Sequence, residues 1–328
     1  MPELRWSHGR AAFSPTAAML VSAEFLLPDG PFSPFASRAW DADDPALSEL
    51  PGHLRVLGGD FICVPFGSAP GPGSPMPGWE AFEHLPPDEP PHGHSAEEDW
   101  GVEDPGPDAV RFALEYPPGS AVERLERTVR GVPGSPALQF SLTITARRPA
   151  LMPVGVHPIF RMPDPPARVH IEAGFDVGFG YPGALDGAAV RPGAEFRNLG
   201  EAGGADLSRL PLGPPVDDVV LLGGCTGPVR LAYPDERARV ELDWDCTVLP
   251  SLMLWISDRA LDGQPWNRAY RGIGVEPVAA AFDLPSRVSA GENPLGQRGV
   301  RTAVALDPVR PVTIRYSVSA HPFDLGVI

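Results

Sequence analysis

Three short segments carry side chains suited to moving protons. His92-Gly93 is followed by Trp100 eight positions after the histidine, Gly155-Val156-His157-Pro158-Ile159-Phe160 places a second imidazole, and Gly274-Val275-Glu276-Pro277 supplies a carboxylate. Histidine titrates near neutrality, and a carboxylate becomes a better base once partly desolvated. Two imidazoles and one carboxylate are therefore parts for general acid–base chemistry. The apolar and small neighbours of Glu276 favour its desolvation. Pro158 pushes His157 toward an extended backbone, which sets it on a strand or at a strand end. Taken singly, His157 also fits a structural histidine in a sheet, and Glu276 a cap at a strand end. The segments lie far apart, so only a closed fold brings them together.

Other candidates are less specific. His92 and His94 form a His-x-His pair that on a strand would share one face, but a metal would need a third ligand from Glu97, Glu98 or Asp99. Carboxylates after a Pro-rich loop are usually solvated, so no metal is expected. Asp217-Asp218, ahead of Val219-Val220-Leu221-Leu222, could hold hydroxyls where a strand begins or mark a turn. Asp243 and Asp245 alternate with Leu242 and Trp244 and belong to the outward face of a strand. His8, His53, His84, His170 and His321 have no context that raises them.

The elements that must position these groups are strands. Leu138, Phe140, Leu142, Ile144 and Ala146 alternate with polar residues, as do Val110, Phe112, Leu114 and Tyr116, and Val312, Ile314, Tyr316 and Val318. Val229, Leu231 and Tyr233, then Ala238, Val240 and Leu242, flank Pro234-Asp235-Glu236-Arg237 as a hairpin. Met19 to Leu27 alternates too, and Ala17 to Leu27 reads as a first strand. The segment Ala121 to Val129 is ambiguous, because Val122, Leu125 and Val129 sit at helical spacing. No convincing amphipathic helix longer than about three turns occurs elsewhere. Such a pattern predicts an all-β fold, an antiparallel sandwich or barrel. Ser68 to Pro91 and Pro182 to Pro215 lack periodicity and read as long loops; the first ends at His92 and could edge a site.

Composition narrows the function classes. The chain has 328 residues and 43% hydrophobic content, enough for a large core, and similar strands on both sides of each loop predict a single domain over 1–328. Net charge is −16 and all 26 basic residues are arginine. An acidic surface makes nucleic acid and membrane surfaces poor partners, and the absence of lysine excludes Schiff-base and P-loop lysine chemistry. Cys63, Cys225 and Cys246 are odd in number and never spaced Cys-x-x-Cys, which suits free thiols in a reducing cytoplasm. Glu24 interrupts the apolar stretch near the start, so no signal peptide is read there.

In combination, the three segments resemble the aldose 1-epimerase (galactose mutarotase-like) family. Gly58-Gly59-Asp60-Phe61-Ile62-Cys63-Val64-Pro65-Phe66-Gly67 is similar to that family's Gly-Gly segment in relaxed form. Asp217 before its apolar strand, and Leu249-Pro250-Ser251-Leu252-Met253-Leu254-Trp255 about 20 residues ahead of the glutamate, also match in order. The resemblance spans roughly residues 15 to 320. It implies a large twisted antiparallel β-sandwich (the galactose mutarotase-like supersandwich) that binds sugar on a concave sheet and needs no cofactor. By the same resemblance, Glu276 matches the general base at the anomeric hydroxyl and His157 the general acid at the ring oxygen. His92 matches a second histidine bonding the sugar near that oxygen, and Asp217 the carboxylate that holds hydroxyls.

Two family arginines are missing. Ser68-Ala69-Pro70-Gly71 stands where one is common, and His92-Gly93-His94-Ser95-Ala96 replaces a sequence ending in the other. Arg161 or Arg271 could compensate; otherwise a hexose 6-phosphate is a poor substrate. The expectation is an aldose 1-epimerase, or an epimerase acting on a less usual sugar, with a small-molecule sugar as substrate. Alternatives are a carbohydrate-binding homologue without efficient turnover, or a glycoside-processing enzyme using Glu276 and Asp217 as paired carboxylates. The sugar and the oligomeric state stay open.

Overall fold

The computed structural model describes residues 1–67, 76–80, 90–103 and 108–323. Strands dominate, and every pairing between them is antiparallel. A nine-stranded sheet has at its centre Ala238–Trp244, Val312–Pro322, Ala137–Ala146 and Val122–Gly131. An eight-stranded sheet has at its centre Val216–Gly223, Ser251–Asp258 and Arg271–Ala279, continued by Val154–Val156 and Ile62–Cys63. Four N-terminal strands form a smaller sheet, and Ala150–Met152 pairs with Val304–Leu306. The helices are single turns, such as Gly52–Arg55 and His94–Glu97.

The nine-stranded sheet follows the period-two pattern. Leu138, Leu142, Ile144, Val240, Leu242, Ile314 and Val318 point into the core, while Gln139, Asp243 and Arg315 are exposed. The hairpin closes as expected, pairing Val229 with Leu242 and Tyr233 with Ala238. The central strands of the eight-stranded sheet are different, because they are buried almost without interruption. Val220, Leu222, Leu252, Leu254, Ile256, Ile273 and Val275 join the core shared with the nine-stranded sheet. Val219, Leu221, Met253 and Val278 face a second core built from Leu57, Phe61, Phe66, Trp79 and Phe282. A sheet covered on both faces loses its polar alternation. Its second face also carries Asp217, Trp255 and Glu276, two residues apart in phase with Val219, Met253 and Val278.

Several expectations need correction. Ala121 to Val129 is a strand, Val122–Gly131, and its helical-looking spacing comes from a β-bulge between Val122 and Arg124 that shifts the inward phase. The strand Leu20–Leu27 is not the first, since Glu3–Trp6 and Gly9–Phe13 precede it. The stretch Pro182 to Pro215 contains short strands at Glu195–Phe196 and Arg209–Leu210. Most of Ser68 to Pro91, including Ser68-Ala69-Pro70-Gly71 and His84, lies outside the described residues.

One charged group sits at the centre of the sandwich. The bulge turns Arg127 inward, where it is fully buried and ion-paired to Asp60. Arg127 Nη1 donates to the Ala18 carbonyl at 2.7 Å, and the Tyr316 hydroxyl donates to Asp60 Oδ2 at 2.6 Å. Burial lifts the Asp60 carboxyl to about 6 against the pull of the guanidinium. Asp60 is thereby tied to two strands of the nine-stranded sheet, and the segment it belongs to runs on into the eight-stranded sheet at Ile62–Cys63. Breaking a buried pair strands an uncompensated charge, which costs about 3–5 kcal/mol, whereas replacing both partners with apolar groups is often neutral. Arg127→Leu is expected to lose stability of that order in urea denaturation, and adding Asp60→Leu to recover most of it. A single-variant loss below about 1 kcal/mol would contradict this role.

Candidate functional site

Glu276 sits in the strand Arg271–Ala279, fully buried, opposite Met253. Gly274, two residues earlier on the same face, explains part of its motif: a Cβ there would collide with Glu276 Oε1. The carboxyl thus occupies space that a side chain at 274 would fill. Neither Glu276 oxygen has a hydrogen-bond partner among the described residues. His157 follows the strand Val154–Val156, and its backbone N–H donates to the Phe61 carbonyl at 3.0 Å. Its ring stacks on Phe61, with centroids 4.4 Å apart. His157 Nε2 lies 3.3 Å from Glu276 Oε1, within ion-pair distance but without hydrogen-bond alignment.

His92 has a left-handed backbone, φ 60°, and Gly93 follows with φ 76°. A Cβ at Gly93 would run into the Val64 carbonyl, so only glycine passes there. The turn is braced by Trp100, whose indole N–H donates to the Ser95 carbonyl at 2.9 Å. The Gly67 N–H donates to His92 Nδ1 at 3.4 Å, which assigns the proton of the neutral ring to Nε2. The His92 ring meets His157 edge-on at 5.6 Å. His94 does not share its face: it opens the helix His94–Glu97 and packs on Tyr116. Among the described residues, no group of three potential ligands could hold a metal ion.

Asp217 is the second residue of the strand Val216–Gly223 and accepts from Trp255 Nε1 at 3.0 Å. Asp218 faces the other way and accepts the Ala189 and Val190 N–H groups at 2.7 Å, so it anchors the loop between the strands Val177–Gly180 and Glu195–Phe196. His92, His157, Asp217 and Glu276 all line one hollow of about 230 Å³. That is below the range for drug-sized ligands and suits a single small ring. Trp255 and Trp266 contribute aromatic lining, and Tyr270 stacks behind Trp255 with centroids 5.7 Å apart. The register separates Asp217 from Glu276 by two strands and four residues, roughly 16 Å between Cα atoms at standard sheet spacings. That span does not favour the paired-carboxylate hydrolysis considered above.

Neither arginine offered as a replacement lines the hollow. Arg161 pairs with Glu236 and lies over Tyr233, and Arg271 bridges Asp258 and Asp164. Sequence reasoning missed His53, Asp283 and Tyr181, which also line it. His53 stacks on Phe61 and meets His92 edge-on, in a helical turn whose Gly52 packs against Glu97. No motif marks it; only the contact between two distant turns does.

Burial decides the electrostatics. It pushes the Glu276 carboxyl well up, with Asp283 adding repulsion, and pushes His157 well down, with His92 and His53 adding to it. It lowers His92 to about 4 and His53 to about 3, and raises Asp217 to about 6. Below pH 6.5 the unfolded histidines take protons that the folded ones refuse. Their stabilising contribution is therefore present above pH 6.5 and lost on acidification toward the folded pKa. The stability margin of the wild type over His53→Gln should shrink by on the order of 1 kcal/mol per pH unit as pH falls below 6.5. The carboxyls common to both proteins cancel in this difference. Urea denaturation at a series of pH values reads it, and a constant margin would show His53 already charged when folded.

No protein-family model matches the chain, and no curated protein does. Solved structures do. A galactose mutarotase-like protein from Lactobacillus casei is 19% identical, with a TM-score of 0.61, covering 98% of this chain and 100% of that one. An aldose epimerase homologue from C. elegans is 14% identical, with a TM-score of 0.65 and coverage of 98% of both chains. A galactose mutarotase-like protein from Clostridium acetobutylicum is 11% identical, with a TM-score of 0.66, covering 98% of this chain and 95% of that one. At such identities the likeness is one of fold. The chain has the galactose mutarotase-like sandwich fold.

Proposed function

We propose that the protein is an aldose 1-epimerase, acting as one domain on a single sugar ring and requiring no cofactor. One observation carries the reading: in a ring-sized hollow, the imidazole of His157 stands 3.3 Å from a Glu276 carboxyl whose oxygens have no other partner among the described residues. Glu276 as carboxylate takes the anomeric hydroxyl proton while His157 as imidazolium protonates the ring oxygen. The C1–O5 bond breaks and an open-chain aldehyde forms. Rotation about C1–C2 presents the other carbonyl face; the ring oxygen returns its proton to His157, Glu276 returns its own to O1, and the opposite anomer closes. The pair carries one proton in excess of its carboxylate–neutral imidazole form throughout. In the free site burial keeps that proton on Glu276; in the reactive complex it is on His157, and at the open-chain stage it is back on Glu276. Burial favours this last, uncharged distribution, which lowers the cost of reaching the aldehyde.

His92, with its proton on Nε2, is placed to donate to the sugar beside His157, and Asp217 to accept hydroxyls. Trp255 and Trp266 offer π-faces to the ring's C–H groups. No helix among the described residues is long and apolar enough to cross a membrane, and the three free cysteines suit the cytoplasm. The lack of any arginine among the described residues that line the hollow motivates one other reading, a carbohydrate-binding homologue with weak turnover.

Positioned acids and bases each contribute about 10²–10⁴-fold, so Glu276→Gln and His157→Asn should each slow anomer exchange of a turned-over aldose by that factor. Polarimetry or exchange NMR measures it. Gly274→Ala should keep the fold but displace the Glu276 carboxyl, lowering kcat more than it raises KM. Wild-type protein that binds aldoses yet leaves exchange at the spontaneous rate would establish the binding homologue instead.

A further inference from the structure

Accepting the epimerase reading, the charge of the site points to a narrower class of substrate. Among the described residues, three carboxyls, Asp217, Glu276 and Asp283, line the same hollow, and no arginine does. The chain has no lysine, and the segments 68–75, 81–89 and 104–107 contain no arginine. In the free site the three histidines described there are neutral at pH 7, because burial depresses each of them. The described residues thus supply no cation to these carboxyls.

The unpartnered polar atoms lining the hollow sharpen this. They are both oxygens of Glu276, Oδ1 of Asp283, and Nδ1 of His53 and His157. The three oxygens are acceptors once the carboxyls ionise, and the two nitrogens accept in one tautomer. Glu276 is fully buried, so solvent does not serve its oxygens. The Tyr181 hydroxyl bonds to Asp283, which steadies that carboxyl while Oδ1 stays open. Asp283 is also within electrostatic reach of both Glu276 and Asp217. A group with several donors, no acceptor and a positive charge complements this set, and an ammonium has three donors and no acceptor.

We propose that the preferred substrate is an amino sugar with a free amine, whose ammonium lies against Asp283 and Glu276. A neutral sugar leaves the carboxyls without a counter-charge, and burial, with the repulsion of Asp283 second, keeps Glu276 protonated. An ammonium favours the ionised carboxyls, so that the shared proton passes from Glu276 to His157 and supplies both the base and the acid that ring opening needs. The substrate therefore activates its own base.

The test compares anomer exchange by NMR for glucosamine and galactosamine with their N-acetyl and 2-hydroxyl counterparts, at about pH 6.5, with spontaneous rates subtracted. The expected result is a kcat/KM at least about tenfold higher for the free amines than for either counterpart. Asp283→Asn should bring that ratio close to one. Exchange of the neutral sugars at an equal or faster rate overturns the amine preference while leaving the epimerase reading intact. If no aldose is accelerated, the epimerase reading falls, and calorimetric binding to the wild type still decides the amine. Tighter binding of the free amine than of its N-acetyl form upholds the preference, and equal binding rejects it.

Discussion

The eight-stranded sheet is covered on both faces, and most of what is distinctive here follows from that constraint. On one side its aliphatic residues meet the nine-stranded sheet; on the other, turns and loops close over Val219, Met253 and Val278. A polar side chain on the covered second face gives up water, so it must find a partner, change protonation or line a hollow. Asp218, facing the first core, finds backbone N–H donors; Glu276 finds none and lines the hollow.

Two buried carboxyls illustrate opposite uses of burial. Asp60 has a guanidinium and a tyrosine hydroxyl beside it, so its burial serves to fasten the Gly58–Phe66 segment to the nine-stranded sheet. Among the described residues, Glu276 has only an unaligned imidazole within ion-pair distance. The first arrangement serves the second. Phe61 directly follows Asp60, and its ring and carbonyl hold His157 in place. Structural and chemical carboxyls are thus joined through a single short segment.

The empty space is shaped with equal care for backbone. Gly274 leaves room for the Glu276 carboxyl, and Gly93 lets the turn carrying His92 pass against Val64. These glycines are why the imidazoles and the carboxyl reach a common hollow from three separate regions of chain. Trp100 acts through Ser95 rather than through the hollow, as a brace for that turn.

Much of this was legible in the chain itself. Period two marked the strands of the nine-stranded sheet because water bathes one of its faces, and Gly and Pro beside His92, His157 and Glu276 marked backbone that must turn or extend. The bulge at Val122 hid a strand behind helical spacing, since one extra residue shifts the phase of everything after it. His53, Tyr181 and Asp283 carried no local sign at all, and Arg161 and Arg271, plausible by type, went to Glu236 and Asp258 instead. Residue type and short-range pattern depend on neighbours along the chain, so the sequence could specify the strands and the proton-moving groups. Which groups share a hollow, and which of them are left without a counter-charge, depends on burial and long-range contact, and only the packed sheets decide it.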